Sequence, residues 1–172
     1  TNVYIANIGS WCGIDGLYSL MSIGKKNLYL NGALLTDLII PENVYSIASS
    51  AFYYSGITSV TIKSEFITIG REAFSECNEL TKVSLRYGVQ SIGVRAFNDC
   101  NRLISINIPG SCTSIGAAAF DGCSSLTSIT IPDGVTSIDR YAFADCSGLT
   151  SITIPDSVIL IGEGAFYNCS GL

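Results

Sequence analysis

The chain has 172 residues, of which 48% are hydrophobic and 13% are charged, and this low charged fraction excludes a disordered tail because most of the chain is suited to burial. Nine Lys and Arg residues against 14 Asp and Glu residues give a formal net charge of −5, which argues against nucleic acid as a partner. No run of 18 apolar residues is present, so we expect no direct insertion into a membrane.

Residues 1–34 carry three local signals. Residues 3–5 read as the end of a strand that belongs to a preceding structural unit. Residues 11–24 place apolar side chains at roughly helical spacing, which predicts one short amphipathic helix. These apolar residues are Trp11, Ile14, Leu17, Leu20 and Met21. Residues 28–35 place Asn31 and Gly32 between alternating apolar residues, the pattern of a hairpin with a type I′ turn.

From residue 35 onward the sequence repeats itself with a period of about 23 residues, a spacing that is typical of solenoid proteins. An Ala-Phe pair marks each repeat, with one step of 22 residues followed by four steps of 23. Its Phe residues are Phe52, Phe74, Phe97, Phe120, Phe143 and Phe166. A Cys follows the Phe by three residues in five repeats, at Cys77, Cys100, Cys123, Cys146 and Cys169. The chain therefore contains six repeats.

The most regular repeat, residues 126–148, divides into an extended half and a turn-rich half. Apolar and polar residues alternate over residues 128–131, which predicts a half-buried strand. Pro132 removes a backbone donor and turns the chain together with Asp133 and Gly134. The segment around Phe143 is too short for an independent helix, so we expect a single helical turn held by packing.

Neighbouring repeats must stack, because a single 23-residue unit cannot bury its own apolar face. Stacking pairs the equivalent strands in one parallel sheet and aligns equivalent side chains in columns. One predicted column holds the six Phe residues, and a second holds Ile47, Ile69, Ile92, Ile115, Ile138 and Ile161. At a strand spacing of about 4.8 Å, six repeats span roughly 25–30 Å.

The pattern LxxIxIPxxVxxIxxxAFxxCxxL resembles the leucine-rich repeats of the BspA-like class, which is known from surface and secreted proteins of bacteria and some protozoan parasites. The resemblance implies an α/β fold: a right-handed leucine-rich-repeat solenoid with one strand per repeat on a concave parallel sheet, a short second strand and a short helical turn. The WCGI and LYLNG segments are also a feature of this class. We interpret residues 1–34 as an insertion between repeats and residues 35–172 as six repeats truncated at the C-terminus.

The seven cysteines are compatible with disulfides, metal ligands or buried thiols. Equivalent residues in stacked repeats lie about 5 Å apart, within disulfide range, but their side chains point in parallel. Stacked free thiols are therefore the favoured interpretation, since Cys behaves as a small hydrophobe in packed cores. Metal binding would need ligands that converge on one point. Cys112 occupies the position of Val135 in the next repeat, and Cys12 beside Trp11 is ambiguous.

The sequence offers little chemistry for catalysis. It contains no His, which rules out a Ser–His–Asp triad, a Cys–His dyad and imidazole metal ligands. Its carboxylates fall at turn positions, where Asp side chains favour the turn itself. Examples are Asp121, Asp133, Asp145 and Asp156. We predict no catalytic, cofactor-binding or metal-binding residues.

The outward side chains of the predicted sheet are the candidate partner-binding residues. They are Ser59, Thr61, Lys63, Lys82, Ser84, Arg86, Ser105, Asn107, Ser128, Thr130, Ser151 and Thr153. Lys63, Lys82 and Arg86, joined by Arg102, form a local basic patch that could attract an acidic partner. The competing interpretation is that these charges keep an exposed sheet from aggregating.

Three functional hypotheses follow. The first is an interaction or adhesion module of a surface or secreted protein, which binds a protein or glycan ligand in the extracellular space through the solenoid surface. The second is a structural spacer within a larger surface protein whose activity lies in other domains. The third, a carboxylate-dependent glycosidase, would need two convergent acids, and the regular columns provide no such pair. We further expect a monomeric fragment of a longer chain.

Overall fold

The computed structural model describes residues 1–172 and shows a solenoid in which three groups of backbone hydrogen bonds join each coil to the next. We number the coils 1 to 6 by the Phe residues that they contain, from Phe52 to Phe166. Each coil contributes one strand to a first six-stranded sheet, one strand to a second six-stranded sheet, and a series of turns around its Ala-Phe pair.

The strands of both sheets are short and parallel. The first sheet consists of β4 (Asp37–Ile40), β6 (Ser59–Ile62), β8 (Lys82–Leu85), β10 (Ser105–Asn107), β12 (Ser128–Thr130) and β14 (Ile152–Thr153). The second consists of β5 (Ser46–Ile47), β7 (Ile67–Ile69), β9 (Val89–Ile92), β11 (Ser114–Ile115), β13 (Ser137–Ile138) and β15 (Leu160–Ile161). The predicted sheet and the short second strand of each coil are both confirmed.

Side chains alternate between core and surface along the first sheet, as the sequence periodicity predicts. In β8, for example, Val83 and Leu85 are buried while Lys82 and Ser84 are exposed. Pairing in register continues this alternation from coil to coil, so that Ile106 lies between Val83 and Ile129. The sheet therefore has one apolar face toward the core and one outward face that is polar except at Ile39 in the first coil.

Consecutive turns replace the helical turn predicted around each Phe. The residues two before and two after the Phe have left-handed backbone conformations in every coil, for example Glu72 (φ 54°) and Glu76 (φ 57°) beside Phe74. This alternation directs every second N–H group toward the next coil: Glu72, Phe74 and Glu76 donate to the carbonyls of Val94, Ala96 and Asn98. The prediction of a helical turn was wrong, because hydrogen bonds between coils take the place of hydrogen bonds within a helix. We call this side of the solenoid the turn face.

The six Phe rings form a continuous column inside the solenoid. Neighbouring rings have centroid separations of 5.3–5.5 Å and interplanar angles of 2–6°, the offset-stacked geometry that aromatic pairs favour. The rings from Phe52 to Phe143 are fully buried. They belong to one hydrophobic core of 48 residues that runs through all six coils. The Phe column is confirmed, and the Ile column is confirmed from Ile47 to Ile138, whereas Ile161 of the last coil is 50% exposed.

The N-terminal segment folds into a small three-stranded sheet and two helices. The sheet contains β1 (Asn2–Ile5), β2 (Asn27–Leu30) and β3 (Ala33–Leu34), and the helices are α1 (Ile8–Cys12) and α2 (Tyr18–Met21). Positive φ angles at Asn31 (52°) and Gly32 (81°) confirm the type I′ hairpin between β2 and β3. Neither helix has the length and apolar character that a bilayer crossing requires.

The prediction of a single helix over residues 11–24 was wrong. The chain breaks between α1 and α2, where Gly16 has a φ angle of 78°, a conformation that a helix cannot contain. Trp11, Leu17 and Met21 of the predicted apolar stripe are buried, whereas Ile14 (43%) and Leu20 (47%) are exposed. Two short helices therefore place three anchors against coil 1.

Helix α1 supplies coil 1 with the hydrogen bonds that a preceding coil would give. The indole Nε1 of Trp11 donates to the carbonyl of Ala51 at 2.7 Å, a position that in later coils accepts the N–H of the preceding Phe. The N–H of Ala48 donates to the carbonyl of Cys12 at 2.7 Å, whereas the equivalent Gly70 donates to Ile47. The segment therefore caps the solenoid core.

The Phe column predicts a large effect of a Phe97→Ala substitution, because it leaves a cavity between two stacked rings. We expect the free energy of unfolding to fall by about 3–5 kcal/mol, measured by urea denaturation followed by circular dichroism. Phe66→Ala is the matched control, since Phe66 is 67% exposed, and it should change the same quantity by less than about 0.5 kcal/mol. Equal losses in both variants would contradict a buried column.

The cap predicts a loss of stability on substitution of Trp11 by Phe, which keeps an aromatic ring but leaves the Ala51 carbonyl without its indole donor. We expect a decrease of about 1–3 kcal/mol in the free energy of unfolding, read from the urea midpoint. Tyr18→Phe is the control, because Tyr18 is half exposed and its hydroxyl makes no hydrogen bond within the protein. An unchanged midpoint in the Trp11 variant would show that the indole bond does not stabilise coil 1.

Candidate binding surface

The first sheet presents its outward side chains in straight rows across the coils. Strand register aligns one row that begins at Ser59, Lys82 and Ser105, and a second row that begins at Thr61 and Ser84. Of the predicted partner-binding residues on these rows, Ser59 and Thr61 are partly exposed, and Lys82, Ser84, Ser105, Asn107, Ser128, Thr130, Ser151 and Thr153 are exposed. The structure thus brings all of them to one face.

Three cations stand on this face without an acidic partner. Lys82 projects from β8, while Lys63 and Arg86 follow directly after β6 and β8, and all three are exposed. None of them belongs to any of the four salt bridges of the structure. Their positive charges are therefore available to a partner.

Arg102 does not share this property, although the sequence placed it in the same basic patch. Its Nη1 lies 2.6 Å from a carboxylate oxygen of Glu79, and the Nζ of Lys25 lies 3.0 Å from the other oxygen. These two hydrogen bonds lower the pKa of Glu79. The patch is accordingly limited to Lys63, Lys82 and Arg86.

The hydroxyl groups on and beside the first sheet fall into two classes. Some are bonded within the protein, and others are free to bond a partner. Thr residues just before or beside the strands donate to carbonyls of the preceding coil at 3.2–3.3 Å. They are Thr58, Thr81, Thr113, Thr136 and Thr150. The outward side chains from Ser84 to Thr153 on the first sheet make no hydrogen bonds within the protein, whereas Ser59 donates to Asp37 at 2.5 Å. The rows from coil 3 onward can therefore bond a partner without breaking an internal contact.

Sequence reasoning missed two large aromatic side chains beside this face. Phe66 and Tyr87 lie in the loops that join the two sheets in coils 2 and 3, and they are 67% and 80% exposed. The signal was present in the repeat itself. The other four coils carry Pro directly after the inward Ile of the first sheet, at Pro41, Pro109, Pro132 and Pro155, whereas coils 2 and 3 have Lys63 and Arg86.

A groove of about 310 Å³ lies on the turn face and is lined by Arg95, Arg140 and the small Ala117 and Ala118. Its charges are largely balanced within the protein. Glu72 pairs with Arg71 at 3.2 Å and with Arg95 at 3.8 Å. Asp121 also lines the groove, and burial together with neighbouring carboxylates raises its pKa. The first-sheet face is the stronger candidate because none of its three cations belongs to a salt bridge, whereas in the groove only Arg140 is unpaired and Arg71 and Arg95 share Glu72.

All seven cysteines are free thiols, which confirms the favoured sequence interpretation. The Sγ atoms of the five cysteines that follow the column Phe lie 3.0–3.2 Å from the Phe carbonyl of the preceding coil and donate to it. These are Cys77, Cys100, Cys123, Cys146 and Cys169. Ser55 occupies the equivalent position in coil 1, and its Oγ lies 3.4 Å from the Sγ of Cys77. Burial raises the pKa of Cys77 to about 11 and that of Cys146 to about 12. The thiols therefore hold coils together and stay protonated near neutral pH.

Comparisons with known proteins agree with this geometry. A model of BspA-type leucine-rich repeat regions matches residues 21–147 in six copies. The chain is similar to a leucine-rich cell surface protein of Faecalibacterium prausnitzii, with 38% identity, a TM-score of 0.70 and coverage of 83% of this chain. The chain spans only 38% of the length of that protein.

A leucine-rich repeat protein of T. pallidum shows 25% identity and a TM-score of 0.60, over 80% of this chain and 78% of that one. A leucine-rich repeat protein of Eubacterium ventriosum shares the fold at 18% identity, with a TM-score of 0.57 and coverage of 97% and 57%. Curated protein sequences give no match.

The buried thiols predict slow reaction with Ellman's reagent in the folded protein. Six cysteines are fully buried and Cys169 is partly exposed, so we expect at most one fast-reacting thiol near pH 8 and seven after unfolding in guanidinium. Cys169→Ser should remove the fast phase. Several fast thiols would contradict the buried column.

Because each buried thiol binds its proton more tightly in the folded state, the free energy of unfolding should fall as the pH rises above about 9.

Proposed function

The chain belongs to the BspA-type leucine-rich repeat family, and on this premise we propose that it is a protein-interaction module that mediates adhesion at a bacterial cell surface through the outward face of its first sheet. The observation that carries the proposal is the set of unpaired, exposed cations Lys63, Lys82 and Arg86 beside rows of Ser, Thr and Asn side chains that, from coil 3 onward, have no internal hydrogen-bond partner.

The electrostatics of the chain favour binding on this face. The net charge of the chain is −5, so a positive area on it is a local departure from the whole. A local positive area attracts acidic surfaces of a partner and orients the encounter, mainly by raising the association rate. The partner that fits best is therefore an acidic protein surface outside the cell.

The spacer hypothesis is supported by a different part of the same face. Coils 4, 5 and 6 present only Ser, Asn and Thr from their strands, a uniform wet surface that β-propensity alone accounts for. The cations are confined to coils 2 and 3. We therefore propose that coils 2 and 3 make the contact and that the later coils extend the rod.

The proposed surface location is supported by the name of one similar protein. The protein of F. prausnitzii is described as a leucine rich cell surface protein, and we extend this location to the present chain as part of the proposal. The family is a repeat scaffold, and this supports a non-catalytic role as part of the same proposal.

A binding panel tests the proposal. We expect the chain to bind at least one member of a panel of immobilised extracellular matrix proteins saturably, measured by surface plasmon resonance. Reversal of all three charges, Lys63→Glu, Lys82→Glu and Arg86→Glu, should weaken that binding by about a hundredfold or more, because attraction becomes repulsion at the contact.

The control for this experiment is a second triple variant with the same change in net charge on the turn face. Arg71→Glu, Arg95→Glu and Arg140→Glu all change exposed arginines, and this variant should retain binding if it folds, which circular dichroism verifies. Equal loss in both triple variants would show a nonspecific effect of net charge. No binding to any panel member would favour the spacer hypothesis for the whole chain.

A further inference from the structure

The loops that join the two sheets in coils 2 and 3 form a feature of their own. We call it the aromatic corner and define it by Lys63, Phe66, Arg86 and Tyr87. Glu65, Phe66, Arg86 and Tyr87 line an open groove of about 560 Å³. A groove of this size lies within the range of binding sites in proteins.

The repeat itself shows that the fold does not require these side chains. Coils 4, 5 and 6 make the same connection with residues 109–112, 132–135 and 155–158, which contain Pro, Gly, Ser and Asp but no aromatic residue. Their second strands pair in the same sheet as those of coils 2 and 3. Phe66 and Tyr87 are thus additions to a connection that is complete without them.

The position of Phe66 results from an exchange between two neighbouring residues. In coils 1, 3 and 5 the residue eight positions before the column Phe is a buried Val, for example Val89. In coil 2 this position is Phe66, which points outward, and the following Ile67 fills the core at 1% exposure. The sheet absorbs the exchange as a register shift between Ile67 and Thr68. Core packing is therefore preserved while an aromatic ring is presented to solvent.

The backbone of the corner is held by contacts within and between coils 2 and 3. The buried hydroxyl of Ser64 lies 3.2 Å from the carbonyl of Phe66 and 3.3 Å from its N–H group. The N–H of Ile67 donates to the carbonyl of Gly88 at 3.0 Å. A Cβ atom on Gly88 would lie 2.0 Å from the backbone of Glu65, so only glycine permits this close approach. A preordered site loses less conformational entropy when a partner binds.

The chemistry of the corner identifies the kind of partner. Exposed aromatic rings and Arg are the side chains that most often dominate protein interfaces. Lys63 and Arg86 bring two unpaired positive charges beside the rings, against a single negative charge on Glu65. A complementary partner carries carboxylates close to an apolar side chain that can insert between the rings.

We propose that the aromatic corner binds an acidic protein segment through an apolar side chain inserted between Phe66 and Tyr87 and carboxylates paired with Lys63 and Arg86. This inference rests on the proposed interaction function and locates its centre. A glycan fits less well, because the groove offers only Glu65 and Arg86, with the Tyr87 hydroxyl, to satisfy the many hydroxyl groups of a sugar.

Defined peptides test the proposal on the 172-residue chain. The probe is a biotinylated dodecapeptide of three Gly-Glu-Glu-Phe units, immobilised for biolayer interferometry. Two control peptides replace every Phe by Ser or every Glu by Lys. We expect the wild-type chain to bind the Glu-Phe peptide at least about tenfold more tightly than either control, and more weakly as salt is raised.

Paired variants locate the contact. Phe66→Ser with Tyr87→Ser should weaken binding of the Glu-Phe peptide by at least about tenfold, as should Lys63→Glu with Arg86→Glu. Tyr167→Ser is the matched control, because Tyr167 is 64% exposed on the turn face; it should bind like wild type. All changed side chains are exposed, and circular dichroism verifies that each variant folds.

Several results would overturn the proposal. They are absence of peptide binding by wild type, equal binding by the aromatic double variant, and tighter binding of a heparin decasaccharide that the same variants abolish, which would assign the corner to an anionic glycan. The two proposals can fail separately. Matrix-protein binding that survives the aromatic double variant would retain the interaction function and reject the corner as its centre. Peptide binding without any matrix-protein partner would retain the corner as a peptide site and reject adhesion to matrix proteins.

Discussion

The requirement that three ladders of hydrogen bonds stay in register from coil to coil governs this structure. The first sheet, the second sheet and the turn face each bond to the next coil, so the chain lengths within these segments are fixed. The number of residues in a coil can change only between these three segments. Coil 1 lacks one residue at Ser55 and Gly56, between the turn face and the first sheet, and the irregular pairing of coil 2 lies at Ile67, where the second sheet begins.

The same requirement explains which features could be predicted from sequence. The Phe column, the first sheet and the hairpin at Asn31 depend on side-chain periodicity or on local turn chemistry, and both are visible in the residues. The left-handed residues of the turn face depend on acceptors in the next coil. Glu72, Arg95 and Tyr141 have no intrinsic preference for that conformation, so their own sequence could not indicate it. Stacking imposes it, because the hydrogen bonds between coils offset the local strain.

The candidate site was only partly predictable for a related reason. Alternation along a strand places Lys82 and Ser84 outward as soon as the strand is recognised, and Lys63 and Arg86 follow from the same register. Phe66 is different, because a regular repeat would place a buried apolar residue at its position, and only the adjacent Ile67 allows the ring to leave the core. Two apolar residues in sequence do not reveal which of them faces inward. Likewise, Arg102 appeared free in sequence, although Glu79 precedes it by one 23-residue repeat and stacking of the coils brings the two side chains together.

A repeat fold separates stability from function more clearly than a domain without repeats. The core residues recur in every coil, and the cap formed by Trp11 and Cys12 replaces the bonds of a missing neighbour, so stability is distributed along the rod. A feature that occurs in only one or two coils contributes little to this scheme. Departures from the repeat that leave the core intact, as at Phe66 and Tyr87, are therefore the positions where the sequence carries information about a partner. The hydroxyl of Ser64 supports this view, because it bonds the backbone of Phe66 at the point where that residue departs from the repeat.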